Sequence, residues 1–307
     1  MNHTGTFVSD PAHGVGGVYS FTVAGIGISV QTQGSSCRQE PRRREFETSV
    51  QRSHINLQVS HRELRSESPG RLVFDSEMVW RLYDEEDKRV FKFWSPETGR
   101  NPYKELRIGR DYLNGEIVLN QPWQGSEPPD PLEYPLDELL VVHRLGRGLG
   151  CELHACGIVD EGGLGWLFVG HSGAGKSTLA RLWAGRNVTV LSDDRIILRE
   201  YDGGIRMFGT PWHGEAGFAV ATSAPLAGML VIEHGNGNRI DDLDAISAVS
   251  ELMARTFVPF HEAEAIETAV GVLGTAAEKL PCCRFRFKPE ESAIDHLSSW
   301  MKAVADV

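Results

Sequence analysis

The stretch Gly170-His-Ser-Gly-Ala-Gly-Lys-Ser-Thr178 decides the fold of this chain, because it matches the pattern G-x-x-x-x-G-K-[ST] at every fixed position. An apolar run at residues 164–169 precedes it and predicts a buried strand, and residues 177–184 follow it with the composition of a helix. In such a strand, loop and helix, backbone N–H groups and the positive end of the helix dipole face a polyphosphate. A glycine-rich turn without a ligand is the alternative, and the full motif in this context favours a nucleotide site.

The residue types in this loop have predicted roles. The Lys176 ammonium brings a positive charge to the outer phosphates, and the Ser177 hydroxyl is an oxygen ligand suited to Mg²⁺. The sequence therefore predicts ATP and Mg²⁺ as the bound groups. The predicted nucleotide-binding residues are Gly170, Ser172, Gly173, Ala174, Gly175, Lys176, Ser177 and Thr178.

Composition limits the classes of partner. The chain has 307 residues, of which 41% are hydrophobic and 24% charged, as in globular proteins. Its formal net charge of -11 argues against nucleic acid as a partner. No apolar run approaches the roughly 18 residues of a membrane span, and residues 1–20 lack the pattern of a secretory signal. We therefore expect a cytoplasmic protein without a membrane partner, and assembly into a homo-oligomer stays open.

The pattern of strands and helices predicts two regions. Short alternating runs between residues 71 and 119 predict a β-rich part, and prolines at 122 and within 127–131 end it. Residues 1–131 are predicted to form a β-rich N-terminal region with a role in substrate recognition. Residues 132–307 are predicted to form an α/β nucleotide-binding domain, a mixed sheet that contains the phosphate loop, with flanking helices that include residues 136–145.

A basic stretch at residues 34–71 contains Arg42, Arg43 and Arg44. It lacks the interleaved aromatic residues of a nucleic-acid-binding arm, and acidic residues run throughout it. The composition favours a solvated strand pair or loop, and within it residues 49–59 are predicted to form an exposed strand.

The pair Asp193-Asp194 follows an apolar run one helix after Ser177. A carboxylate beside a phosphate loop can bind Mg²⁺, directly or through water, or accept the proton of an attacking hydroxyl. The sequence predicts one role for each aspartate and leaves open which has which. A solvated Asp pair that opens a turn is the alternative.

Three further segments carry polar candidates. The glycine-framed loop at residues 209–217 contains His213 and Glu215, with a structural turn around Trp212 as the alternative. His154 lies on a predicted strand, where a lone histidine is more often a satisfied core residue. Arg255 is a candidate for phosphate contact, but an exposed arginine at a helix end is favoured.

Residues 151–217 resemble the catalytic domain of bacterial HPr kinase/phosphorylase, whose phosphate loop lies in a fold similar to phosphoenolpyruvate carboxykinase. A histidine on the preceding strand, the glycine-rich loop and an Asp-Asp pair occur there in the same order as His154, Gly170 to Ser177 and Asp193-Asp194 here. The resemblance implies that Lys176, His154 and the two aspartates are catalytic. It also implies a metal site at Ser177, Asp194 and, by position in the loop, Glu215.

The resemblance implies an ATP- and Mg²⁺-dependent kinase whose acceptor is a serine of a small protein or peptide. The family's C-terminal motif associated with dephosphorylation has no match here, and residues 1–130 do not resemble its usual N-terminal domain. The chain is therefore more similar to divergent members of the family. A small-molecule or carboxykinase-like phosphotransferase and a non-catalytic nucleotide-binding regulator are the alternatives.

Overall fold

A computed structural model of the chain describes residues 17–32, 40–47, 54–96, 99–121 and 129–305. These residues form two compact units, described separately below. The first contains most described residues up to 133, and the second contains residues 134–305 together with 22–26 and 41–47. This division differs from one continuous region ending at 131, because two earlier segments pack with the second unit. Of the prolines that mark the predicted boundary, Pro122 and Pro128 lie outside the described residues.

An eight-stranded mixed sheet dominates the first unit, with strand order β1-β2-β3-β8-β7-β6-β5-β4. Its strands are β1 (Val18–Val23), β2 (Ile26–Thr32), β3 (Ile55–Arg62), β4 (Arg71–Asp75), β5 (Trp80–Glu85), β6 (Lys88–Phe93), β7 (Lys104–Gly109) and β8 (Asn114–Asn120). In β3 the side chains of Ile55, Leu57 and Val59 are buried while those between them are exposed, the alternation of a strand with one covered face.

Two predictions in the first unit need correction. Of residues 112–115, which the alternating pattern predicts to form one strand, Tyr112, with a φ of 57°, and Leu113 lie in the turn between β7 and β8, whereas Asn114 and Gly115 begin β8. The exposed strand predicted at 49–59 corresponds to β3, which starts at Ile55 and ends at Arg62. Residues 49–53 of that prediction lie outside the described residues.

A nine-stranded assembly and five α-helices build the second unit. The strands are β9 (Cys151–Val159), β10 (Gly165–Val169), β11 (Thr189–Ser192), β12 (Arg195–Tyr201), β13 (Gly204–Gly209), β14 (Ser223–His234), β15 (Arg239–Asp242), β16 (Thr256–Phe257) and β17 (Cys282–Phe287). The helices are α1 (Leu136–Leu145), α2 (Lys176–Ala184), α3 (Ala245–Met253), α4 (Ala263–Lys279) and α5 (Glu291–Ala305). A short 3-10 helix at Pro41–Phe46 belongs to the same unit.

The central strand β10 is buried along its whole length. It pairs antiparallel with β9 and parallel with β14. Leu167 and Val169 pack in one hydrophobic cluster, and Trp166 and Phe168 pack in a second. Because both faces are covered, the strand reads as a continuous apolar run rather than an alternating one. The glycine loop therefore begins at the end of a strand that is fixed on both sides.

The strand β9 changes partners along its length. Its first half, Cys151 to His154, pairs with β12, and its second half, from Ala155 onward, pairs with β10. His154 lies at the point where one pairing gives way to the other. It has Arg195 as its cross-strand neighbour.

The basic run differs from the predicted solvated segment. Arg43 is only 1% exposed, and its Nη1 lies 3.0 Å from Oδ2 of Asp137, at the start of α1. Arg42 Nη2 lies 3.1 Å from the same oxygen. Asp137 is fully buried, and a buried carboxylate requires charged partners. The run therefore supplies counter-charges to the second unit.

Among the helices of the described ranges, none combines the length and the apolar character needed to cross a membrane.

Candidate functional site

The loop after β10 requires glycine at two of its positions. Gly173 and Gly175 have φ values of 80° and 100°, in the left-handed region that favours glycine. Gly175 lies immediately before α2, and a Cβ atom there would be 3.0 Å from the ring of Phe287. At these two positions the backbone therefore adopts a conformation in which other residue types would be strained.

Lys176 turns its side chain back over the loop. Its Nζ donates hydrogen bonds to the carbonyl oxygens of Gly170 at 2.9 Å and His171 at 3.0 Å, and the residue is 5% exposed. Burial lowers the pKa of Lys176 to about 8, and the negative charge of Asp194 only partly opposes this. The ammonium thus lies inside the loop, held by two neutral acceptors.

The other predicted loop residues are more accessible. Ser172 and Gly173 are exposed, while Ala174, Ser177 and Thr178 are half-buried. A bound anion could therefore reach this part of the loop.

His171, which the sequence analysis did not single out, connects the loop to the end of α3. Its Nε2 accepts a hydrogen bond of 2.6 Å from Nη2 of Arg255, because a guanidinium can only donate. Arg255 Nη1 is also 2.7 Å from Oε2 of Glu251. Arg255 is only 8% exposed, so the prediction of an exposed helix-end arginine is wrong. The chain folds back after α3 and brings this side chain against the loop.

Asp193 holds the loop at residues 209–217. Its fully buried carboxylate accepts hydrogen bonds from the backbone N–H groups of Gly214 at 3.1 Å, Ala216 at 2.9 Å and Phe218 at 3.3 Å. Backbone amides are strong partners for an ionised carboxylate. These three bonds use most of the acceptor positions of the carboxylate, and the catalytic or metal-binding role of Asp193 stays a prediction.

Asp194 faces the opposite way and meets His154. Its Oδ1 lies 2.9 Å from Nε2 of His154, and its Oδ2 accepts a hydrogen bond from Nη1 of Arg195. Burial raises the pKa of Asp194, but the hydrogen bond from His154 and the charge of Arg195 outweigh it, so the pKa is lowered. The carboxylate is therefore ionised at neutral pH, and its side chain is still 24% exposed.

Backbone contacts fix this pair of side chains. The N–H of Ala155 donates to the carbonyl of Asp194 at 3.0 Å, and the N–H of His154 donates to the carbonyl of Arg255 at 2.8 Å. The charge of Lys176 contributes to lowering the pKa of Asp194, so the two side chains interact electrostatically. The structure thus brings Lys176, His154 and Asp194 into one site.

The predicted metal ligand Glu215 lies at the protein surface. Glu215 and His213 are exposed in the loop that Asp193 holds, whereas Trp212 packs inward with 2% exposure. Within the described part of the chain, no three His, Cys, Asp or Glu side chains form a group that could hold a metal ion. Mg²⁺ ordinarily takes one or two carboxylates together with phosphate oxygens, so the prediction of Ser177, Asp194 and Glu215 stays a prediction.

Comparisons with known proteins find similar chains among solved structures. No protein family matches the chain, and no curated protein matches it. Among solved structures, the chain is similar to the Hpr(Ser) kinase/phosphatase from Coxiella burnetii, with 13% identity and a TM-score of 0.31. The match covers 51% of this chain and 99% of that one.

Because the two aspartates have different partners, their asparagine variants should differ. Asp193→Asn turns an amide donor toward backbone donors, so we expect it to cost about 2 kcal/mol or more in the free energy of unfolding. Hydrogen exchange at Gly214, Ala216 and Phe218 should accelerate in this variant. Asp194→Asn is the matched control and should leave those amides protected. Equal exchange in the two variants would contradict the assignment of Asp193 to the loop.

Proposed function

We propose that this chain is an ATP- and Mg²⁺-dependent phosphotransferase that transfers the γ-phosphate to a hydroxyl, that of a serine in a small protein or peptide. The observation that carries the proposal is the placement of an ionised carboxylate, Asp194, in the same site as the lysine of a glycine-rich phosphate loop. The first unit is the proposed region of substrate recognition.

The loop fits a nucleotide phosphate chemically. The ammonium of Lys176 is bonded only to carbonyl oxygens in the contacts above, and a phosphate oxygen is a stronger, charged acceptor. Gly173 and Gly175 keep side-chain atoms away from the loop backbone. The residues that would hold the phosphates are those of the predicted loop, Gly170 to Thr178.

Ser177 and Glu215 are the proposed ligands of Mg²⁺, and Asp194 would contact the ion only through water, so that its carboxylate can still accept a proton. When bound, this ion neutralises the charge on the phosphate oxygens during transfer.

Asp194 is the proposed proton acceptor. An ionised carboxylate takes the proton that a serine hydroxyl loses as its oxygen bonds to phosphorus. His154 donates to Oδ1 of Asp194 and orients the carboxylate, since an ionised carboxylate can only accept. Asp193 has no direct role in this scheme and instead holds the loop that carries Glu215. Most of the remaining rate acceleration comes from positioning the reactants and from neutralising the charge on the phosphate oxygens.

A transfer assay tests this function. Full-length protein with γ-labelled ATP and Mg²⁺ would be offered the small proteins and peptides encoded beside its gene. We expect Lys176→Ala and Asp194→Asn each to reduce label transfer by about 100-fold or more. The matched controls are Lys302→Ala, an exposed lysine, and Asp295→Asn, an exposed aspartate. Both controls should keep wild-type transfer.

The outcome also separates the alternatives. Transfer to a metabolite rather than a polypeptide would indicate a small-molecule phosphotransferase. Tight ATP binding without transfer or hydrolysis would indicate a nucleotide-binding regulator and would rule out the proposed enzyme.

The affinity for ATP should depend on pH through Lys176. Only the protonated amine attracts phosphate, and its pKa of about 8 means that protonation is lost as the pH rises through this value. We expect the dissociation constant measured by calorimetry to be flat below pH 8 and to rise by about tenfold per pH unit above it. Lys176→Arg keeps its charge and should remove this dependence. The same slope in Lys176→Arg would exclude Lys176 as its source.

A further inference from the structure

Behind Asp194, the guanidinium of Arg195 is held on several sides. Its Nη1 donates to Oδ2 of Asp194, and its Nε donates to Oε1 of Glu138 at 2.7 Å. The same Nε is 3.5 Å from Oε1 of Glu152. The Cζ atom lies 4.1 Å from the ring centre of Phe257. The Arg195 side chain is 14% exposed, so these contacts are largely shielded from water.

These contacts leave the guanidinium little freedom to turn. The ring of Phe257 covers one face of the planar group, and Glu138 binds its Nε edge. The direction of Nη1, and so the position of Asp194 Oδ2, follows from where Nε is anchored. With Oδ2 bound to Arg195, Oδ1 is the oxygen presented to His154.

Of the two glutamates beside Arg195, Glu138 makes the hydrogen bond. Glu152 is 0% exposed and neither of its carboxyl oxygens makes a hydrogen bond. Burial, followed by the charge of Glu138, raises the pKa of Glu152 well above its usual value. The Nε contact with Glu138, at 2.7 Å, is shorter than the 3.5 Å contact with Glu152, so Glu138 is the residue that anchors Arg195.

The neighbouring acid does not compete for Arg195. Asp137 precedes Glu138 in α1 and already pairs with Arg42 and Arg43. The carboxylate that binds Arg195 Nε in α1 is therefore that of Glu138.

We propose that Glu138 is a positioning residue, which acts through Arg195 to keep the Asp194 carboxylate turned toward His154 and the reacting hydroxyl. Its effect on turnover rests on the proposed function, whereas its effect on the geometry of Asp194 does not.

The kinetic test uses full-length protein, with Mg²⁺-ATP as the probe and water as the acceptor. We expect Glu138→Gln to lower kcat about tenfold and to change the calorimetric dissociation constant of ATP less than twofold, because the phosphate loop is untouched. In an Arg195→Gln background the same substitution should have no further effect, since the link through Arg195 is already broken. Additive losses would overturn the proposal.

Glu152→Gln is the matched control. Glu152 makes no hydrogen bond to Arg195 and glutamine keeps its size, so kcat should stay within about twofold of wild type. A loss as large as that of Glu138→Gln would show that the two glutamates are not distinguished in this way and would overturn the proposal.

A structural readout keeps the test independent of turnover. Crystal structures should keep the 2.9 Å contact between Asp194 Oδ1 and His154 Nε2 in the wild type and in Glu152→Gln, and show it broken in Glu138→Gln. If Glu138→Gln fails to fold, Arg195→Lys breaks the same link from the other side and should break the contact as well. An unchanged contact overturns the proposal. A wild-type protein that neither transfers nor hydrolyses phosphate overturns the proposed function instead.

Discussion

Complete burial of β10 is the constraint on which the second unit depends. Trp166, Leu167, Phe168 and Val169 are all 0% exposed, and they alternate between two hydrophobic clusters. Burying side chains of this size contributes about 1.5–3 kcal/mol each before the entropy of ordering is subtracted. A one-residue shift in the register of the strand would move its side chains to the opposite faces and expose one cluster to water. The position of Gly170, and of the loop that follows, is therefore set by the core.

Three aspartates near this core have different partners for their carboxylates, and these partners distinguish their roles. The carboxylate of Asp193 accepts hydrogen bonds from backbone amides, and that of Asp137 pairs with two arginines. The carboxylate of Asp194 contacts His154 and Arg195. A buried carboxylate with several partners stabilises the fold, because substituting it would leave those partners unpaired. Asp194 alone among these three combines a charge with partial exposure. Its environment therefore suits a proton acceptor.

The local hydrophobic pattern of the sequence predicted individual strands and helices of the second unit. The apolar run before the loop is β10, and the helix predicted at 136–145 is α1, because both depend on neighbouring residues. The contact between His154 and Asp194 spans 40 positions of sequence, and no local pattern predicts it.

What sequence could not supply is the direction of side chains and the contacts between distant segments. Asp193 and Asp194 are adjacent and chemically identical, and only the turn after β11 sends them to opposite partners. Arg255 lies 84 positions from His171, and Arg43 lies 94 positions from Asp137. No local pattern encodes such contacts, and both arginines were consequently predicted to be solvated.

The most direct measurement of the central claim is a crystal structure of the protein with Mg²⁺ and a non-hydrolysable ATP analogue. The ammonium of Lys176 should exchange the carbonyls of Gly170 and His171 for phosphate oxygens, with the terminal phosphate beside Asp194. An analogue bound away from the loop, or a Lys176 that keeps both carbonyl contacts in the complex, would contradict the account.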